Sequence, residues 1–193
     1  AVLNKECGLL EKGHVLTHIA VAEIPGMQRL LFFTDAAVIP YPTTEQFHAQ
    51  LGYIADTFRS VTGNDCPRVA LTHCTEKVSE KFPLTLSYEE LKKEAREGAF
   101  GSIEVDGPMD VKTACDAESG AIKGIASPVV GNADILIFPD IEAGNTFYKA
   151  ITLFAKATVA GMLAGTTAPV VVTSRADTVE SKFYSLATAC MKA

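Results

Sequence analysis

The sequence predicts an α/β protein with a mostly parallel sheet and helices on both faces. Short apolar runs rich in Val, Ile and Phe alternate with segments of helical period, turn residues separate the two kinds, and chemistry-bearing residues gather where the apolar runs stop. Val15 to Ile24 and Leu30 to Thr34 read as two strands joined at Pro25-Gly26. Thr43-Thr44-Glu45-Gln46 opens a helix in which Phe47, Leu51, Ile54, Ala55 and Phe58 share a face, and Gly63-Asn64 ends it. Arg68 to Thr72 is a short buried strand, and Ser87-Tyr88-Glu89-Glu90 reads as a capping box for a helix through Leu91 to Arg96. The alternation continues with a strand from Ser102 to Val105, a helix from about Pro108 to Cys115, and a strand from Ala133 to Phe138. A long helix from about Asn145 to Leu163, a strand from Pro169 to Thr173 and a last helix from about Asp177 complete the pattern. In such sheets ligands bind beyond the carboxyl ends of the strands, where helix N-termini also point.

Composition narrows the function. With 193 residues and 48% hydrophobic content there is ample material for a core. A net charge of −6, without any long Lys/Arg run, argues against nucleic acid as a partner. The five cysteines are scattered and form no Cys-x-x-Cys pair, which suggests neither a disulfide framework nor a zinc site and fits a reducing cytoplasm. His14 and His18 share a face in a strand but lack a third ligand, so no metal is expected. The apolar stretch from Ala150 to Val172 is interrupted by Lys156 and Pro169 and punctuated by Gly161 and Gly165, so no membrane span is expected there. The chain opens on Ala1-Val2-Leu3-Asn4-Lys5 without an initiator Met and as though inside a helix, so a further N-terminal segment is expected; were this the natural start, the lack of a basic region followed by an apolar run would argue against secretion.

Three segments carry chemistry. In Thr173-Ser174-Arg175-Ala176-Asp177-Thr178-Val179-Glu180, free N–H groups at a helix start, the Ser174 hydroxyl and the Arg175 guanidinium suit an anion such as phosphate. The same residues also read as Asp177 capping a helix with Glu180 at its third position and Arg175 in solvent. In Phe138 to Lys149, Gly144 lets a ligand approach the backbone, while Asn145 and Lys149 share one helical face. A plain turn glycine, a cap and a snorkelling lysine are the alternative. In Phe33-Thr34-Asp35, an acid ends a strand and serves either catalysis or the N–H groups of the following turn.

Taken together, Gly131-Asn132-Ala133-Asp134-Ile135-Leu136, Pro139 to Asn145 with Tyr148-Lys149, and Ala168 to Asp177 resemble the phosphate acetyl/butyryltransferase family, the butyryl branch more closely. Thr17 to Val21, Phe32 to Ala37 and Val105 to Pro108 extend the likeness over essentially the whole chain. The resemblance implies the isocitrate/isopropylmalate dehydrogenase-like fold of phosphate acyltransferases. It also implies that residues 1–193 are the C-terminal part of a two-domain enzyme lacking an N-terminal α/β portion, against which the last helix, about 177–193, is expected to pack. The implied reaction is acyl-CoA plus phosphate giving acyl phosphate plus CoA, in a cytoplasmic homodimer. Coenzyme A and phosphate are its small-molecule substrates, and no metal or other cofactor takes part.

By matched position the resemblance gives Ser174 a hydrogen bond to the thioester or developing oxyanion, and Arg175 the phosphate. Asn145, Lys149 and Gly144 are expected to bind phosphate or CoA. The acetyl branch's carboxylate and one of its arginines are matched here by Ser181 and Leu153, departures that favour the butyryl branch and leave the general base unassigned. Glu180 and Asp35 are the candidates for it. Cys74 and Cys115 are expected to be bystanders. A non-catalytic CoA- or phosphate-binding or dimerising module is the competing reading. An oxidoreductase is weaker, because no Gly-x-Gly-x-x-Gly follows any strand.

Overall fold

The computed structural model describes residues 2, 8–10, 12–175 and 177–192. Apart from residue 2, the opening stretch 1–7 lies outside the described residues, as does Ala176 of the anion-binding segment. The elements run β1 (Thr17–Glu23), β2 (Leu31–Thr34), α1 (Thr44–Thr62), β3 (Arg68–Thr72), α2 (Leu84–Arg96), β4 (Glu104–Met109), α3 (Val111–Cys115), α4 (Ala117–Lys123), β5 (Ile135–Ile137), α5 (Ile141–Phe154), β6 (Thr158–Ala164) and α6 (Val179–Lys192). Among the described residues they form a six-stranded sheet in the order β4-β3-β5-β2-β1-β6. Strands β4, β3, β5 and β2 pair in parallel, and β1 runs antiparallel to both β2 and β6.

The sheet is covered on both faces, as the apolar pattern requires. One face carries Ile19, Val21, Phe32, Val69, Leu71, Ile135 and Ile137, packed under α1 and α2 through Phe47, Leu51, Ile54 and Leu91. The other carries Ala20, Ala22, Phe33, Ala70 and Leu136 and packs against Ala114 of α3 and Ile151 of α5. Successive strand residues thus alternate between two buried layers, which is why the strands read as continuous apolar runs. The capping box of α1 forms as expected: Thr43 accepts from the Gln46 N–H, Gln46 returns a bond to the Thr43 N–H, and Gly63 closes the helix at φ 71°.

Four expectations are corrected. The long helix from Asn145 stops at Phe154, and Thr158–Ala164 is strand β6. An apolar run buried on both sides has no period that separates helix from strand, and here Lys156, at φ 55°, turns the chain back to the sheet. The strand over 169–173 is reduced to one bridge between Val170 and Leu163, since Pro169 has no N–H to offer a ladder. Helix α2 begins at Leu84 instead of behind a Ser87 cap, because the Thr85 hydroxyl bonds the Ser79 N–H and the Phe82 carbonyl and secures the entry from inside. Strand β4 runs through Pro108 to Met109, and Asp110, accepting from the Thr113 N–H at 2.7 Å, starts α3 only there.

Candidate functional site

Helix α1, which follows β2, and helix α5, which follows β5, lie on opposite faces of the sheet, although β2 and β5 are neighbours. The chain therefore parts at the carboxyl ends of these two strands, the place where open α/β sheets hold ligands. A cleft of about 320 Å³ opens there. Its walls are His18 at the start of β1, Ala36–Val38 after β2, Asn145, Tyr148 and Lys149 of α5, Gly161 of β6, and Thr173, Ser174 and Asp177 of the following loop. The volume falls at the lower end of the range for small-molecule sites.

Asp35 builds the floor. Its carboxylate is 2% exposed and accepts five hydrogen bonds: from the Thr17 hydroxyl at 2.7 Å and from the N–H groups of His18 (3.0 Å), Ala37 (2.8 Å), Val38 (2.8 Å) and Ile39 (3.2 Å). With both oxygens occupied this way it anchors the turn and the start of β1, the structural alternative weighed for it, and has no lone pair set aside for a substrate proton. Gly144 packs against the same turn: a Cβ there would stand 2.1 Å from the Asp35 carbonyl oxygen. What approaches the Gly144 backbone is therefore the Asp35 turn, and this close packing displaces the expectation of a ligand there. One residue on, Asn145 ties α5 to the turn by donating from Nδ2 to the Ala36 carbonyl at 2.9 Å.

Asn145 and Lys149 line the cleft together, as their helical spacing anticipates. The Lys149 ammonium sits 3.9 Å from the centroid of the Tyr148 ring, and among the described residues it forms no ion pair. Tyr148 donates to Asp177 at 3.0 Å, and burial together with that bond raises its pKa well above the usual value. Asp177 also accepts from the Ser174 N–H at 2.6 Å, so it latches the loop to α5. It is not the cap of α6. Thr178 takes that place by accepting from the Ser181 N–H at 3.1 Å, since Asp177 is drawn toward Tyr148 and Ser174 instead.

Ser174 lies in the cleft wall beside Asn145 and Lys149. Arg175 and Glu180 are exposed and stand outside the lining. Glu180 sits in the first exposed turn of α6, so the structure does not bring this candidate base to the other site residues. The cysteines are elsewhere too. Burial pushes the Cys115 thiol up to about 11, which suppresses the thiolate, and Cys74 is exposed beside His73.

Sequence reasoning missed two members. His18 is 7% exposed, and its Nδ1 has no hydrogen-bond partner among the described residues. Burial lowers its pKa, with the nearby Asp35 and Asp177 opposing and Lys149 assisting that shift. Gly161 makes room for it: a Cβ there would meet His18 Nε2 at 2.7 Å. Weighed only as half of a metal pair with His14, His18 gave no signal, since its neighbours come from β6, α5 and a loop far along the chain.

The family model described as "Phosphate acetyl/butaryl transferase" matches residues 5–190. The chain belongs to this family. It is 40% identical over 189 residues to a probable phosphate butyryltransferase of Bacillus subtilis, covering 98% of this chain and 62% of that protein. A phosphate acetyltransferase of Thermotoga maritima is 41% identical over 180 residues, covering 92% of this chain and 60% of that protein. Among solved structures, a branched-chain phosphotransacylase from Enterococcus faecalis superposes with a TM-score of 0.86 at 34% identity, over 98% of this chain and 67% of that one. The chain thus spans about 62% of the length of its Bacillus relative, and its relatives include both butyryl and acetyl enzymes, the first matches being butyryltransferases.

Proposed function

We propose that the cleft carries out phosphate acyl transfer, acyl-CoA plus phosphate giving acyl phosphate plus CoA. The observation behind this is the meeting of Ser174 with Asn145 and Lys149, residues from a loop and a helix, at the switch point of the sheet. Phosphate attacks the thioester carbonyl, and the tetrahedral intermediate carries its new charge on the carbonyl oxygen. The Ser174 hydroxyl donates to that oxygen, while the Lys149 ammonium and the Asn145 amide neighbourhood hold phosphate. Arg175, exposed and adjacent to Ser174, reaches phosphate or CoA from outside the lining. The chemistry balances with coenzyme A and phosphate as substrates and needs neither metal nor redox cofactor. A butyryl or other short chain is favoured over acetyl because Ser181 and Leu153 stand where the acetyl branch has its carboxylate and an arginine. The cleft, far smaller than coenzyme A as a whole, takes only the reacting ends.

The apolar side chains of α6 left in solvent, Val179 (85% exposed), Phe183 (65%) and Leu186 (58%), support a further packing partner, in our reading the rest of the enzyme or a second copy in a homodimer. Cys66, Cys74, Cys115 and Cys190 are free thiols, in keeping with a cytoplasmic setting.

The test is CoA release from butyryl-CoA and acetyl-CoA, with and without phosphate, by the natural polypeptide that carries residues 1–193, and by its Ser174→Ala variant. Phosphate-dependent release, faster with butyryl-CoA and slowed about 10²- to 10³-fold in kcat by the substitution, is expected. Saturable CoA binding without turnover favours the non-catalytic module instead. Release that ignores phosphate or Ser174 sinks the acyltransferase reading.

A further inference from the structure

Acyl transfer to or from coenzyme A needs a group that takes the thiol proton, and neither carboxylate expected to do so is placed for it. Asp35 spends both oxygens on five donors, and Glu180 stands exposed outside the cleft. Asp177, the carboxylate that does line the cleft, already accepts from Tyr148 and from the Ser174 N–H. Lys149 presents an ammonium, which has no lone pair.

His18 remains, and the fold positions it closely. The Asp35 carboxylate holds its backbone N–H at 3.0 Å, and the neighbouring Thr17 hydroxyl bonds both Asp35 and Thr34. Gly161, the residue β6 places opposite Ala20, leaves the space the ring occupies, and Gly161 lines the same cleft. Among the described residues Nδ1 is buried without a partner, and Nε2 is the nitrogen that faces Gly161; a base at this position uses the tautomer protonated at Nδ1, with the lone pair on Nε2. A nearly buried polar ring with an unanswered nitrogen, in the wall of a cleft shared with Ser174, is poorly explained as packing alone.

We propose that His18 is the general base that accepts the thiol proton of coenzyme A, and the general acid that returns it when the reaction runs the other way. Toward acyl-CoA, Nε2 takes the S–H proton, sulfur attacks the carbonyl carbon of the acyl phosphate, and the C–O bond to phosphate breaks with its electron pair leaving on phosphate. The imidazolium then gives its proton to that phosphate. Toward acyl phosphate, Nε2 takes the proton of hydrogen phosphate as its oxygen attacks the thioester, the C–S bond breaks with its electron pair leaving on sulfur, and the imidazolium passes that proton to the departing thiolate. Among the described residues the charged and titratable groups around the ring are Asp35 after β2, Tyr148 and Lys149 of α5, and Asp177 of the loop, while β6 lines the cleft with the uncharged Val159, Gly161 and Leu163. Burial and Lys149 keep the ring neutral near neutral pH, the form the forward abstraction needs.

This role rests on the acyltransferase reading, and the experiment separates the two. In the natural polypeptide carrying residues 1–193, kcat and KM are measured for CoA plus butyryl phosphate between about pH 5 and pH 9, for wild type, His18→Asn and His18→Gln. His18→Asn is expected to lower kcat about 10²- to 10³-fold with KM changed less than about twofold, and to abolish the fall of kcat/KM on the acid side. An active wild type whose acid limb survives in both variants overturns the role of His18 while leaving the acyltransferase reading in place. An inactive wild type overturns that reading, and with it this role. Should both variants fail to fold, the wild-type imidazole is titrated by NMR with CoA and with desulfo-CoA. A His18 pKa moved by CoA but not by desulfo-CoA is expected, and identical titrations overturn the proposal.

Discussion

Two buried carboxylates stand at opposite ends of the same sheet and are neutralised differently. At the amino ends of the strands, Asp134 takes a two-pronged bond from the Arg68 guanidinium at 2.8 and 2.9 Å, a further bond from the Arg68 N–H, and the charge of Arg29 at 4.0 Å. At the carboxyl ends, Asp35 is held by a hydroxyl and four backbone N–H groups, with no cation among its hydrogen-bond partners. The first arrangement spends two arginines on locking β2, β3 and β5 together. The second fixes a turn with dipoles alone and leaves the nearby Lys149 without an ion pair among the described residues, available to an anion. One end of the sheet thus pairs its buried carboxylate with cations, and the other leaves its cation without an ion pair among the described residues, as the proposed phosphate site requires.

Removing each carboxylate sharpens the contrast. Asp35→Ala strands four backbone donors in the interior and is expected to destabilise the fold by about 4 kcal/mol, read from urea unfolding at unchanged m value. Asp134→Ala is expected to lose less, about 2 kcal/mol, because Arg68 is one-third exposed and regains water when its partner goes. A larger loss at Asp134 than at Asp35 would reverse the assignment of the two ends. The smallest effect is one of pH. His18 has its pKa lowered below the ordinary 6.5, so the unfolded chain takes up this proton first. Its contribution to stability is complete above pH 6.5 and is lost as the pH falls below it, with a slope of no more than about 1.4 kcal/mol per pH unit that disappears in His18→Asn.

The legible parts of this molecule were those governed by local rules. The α1 cap, the Gly63 stop and the doubly buried strands followed from side chains within a turn of one another. What failed depended on distant partners. Nothing local tells Thr158–Ala164 to leave the helix and pair with β1, or Thr85 to cap α2 from inside. The site shows the same division. Asn145 and Lys149 share a face by spacing alone, and Ser174 follows from its segment. The saturation of Asp35, the diversion of Asp177 to Tyr148 and the seating of His18 over Gly161 each join residues that only the folded sheet brings together.

The placement of phosphate at the carboxyl end is tested most directly by its KM in Lys149→Ala and Asp134→Ala, measured with butyryl-CoA on the natural polypeptide carrying residues 1–193. Lys149→Ala is expected to raise the KM for phosphate about tenfold and leave that for butyryl-CoA within about twofold, while Asp134→Ala matches the wild type. A KM for phosphate unmoved by Lys149→Ala, or raised equally by Asp134→Ala, would contradict it.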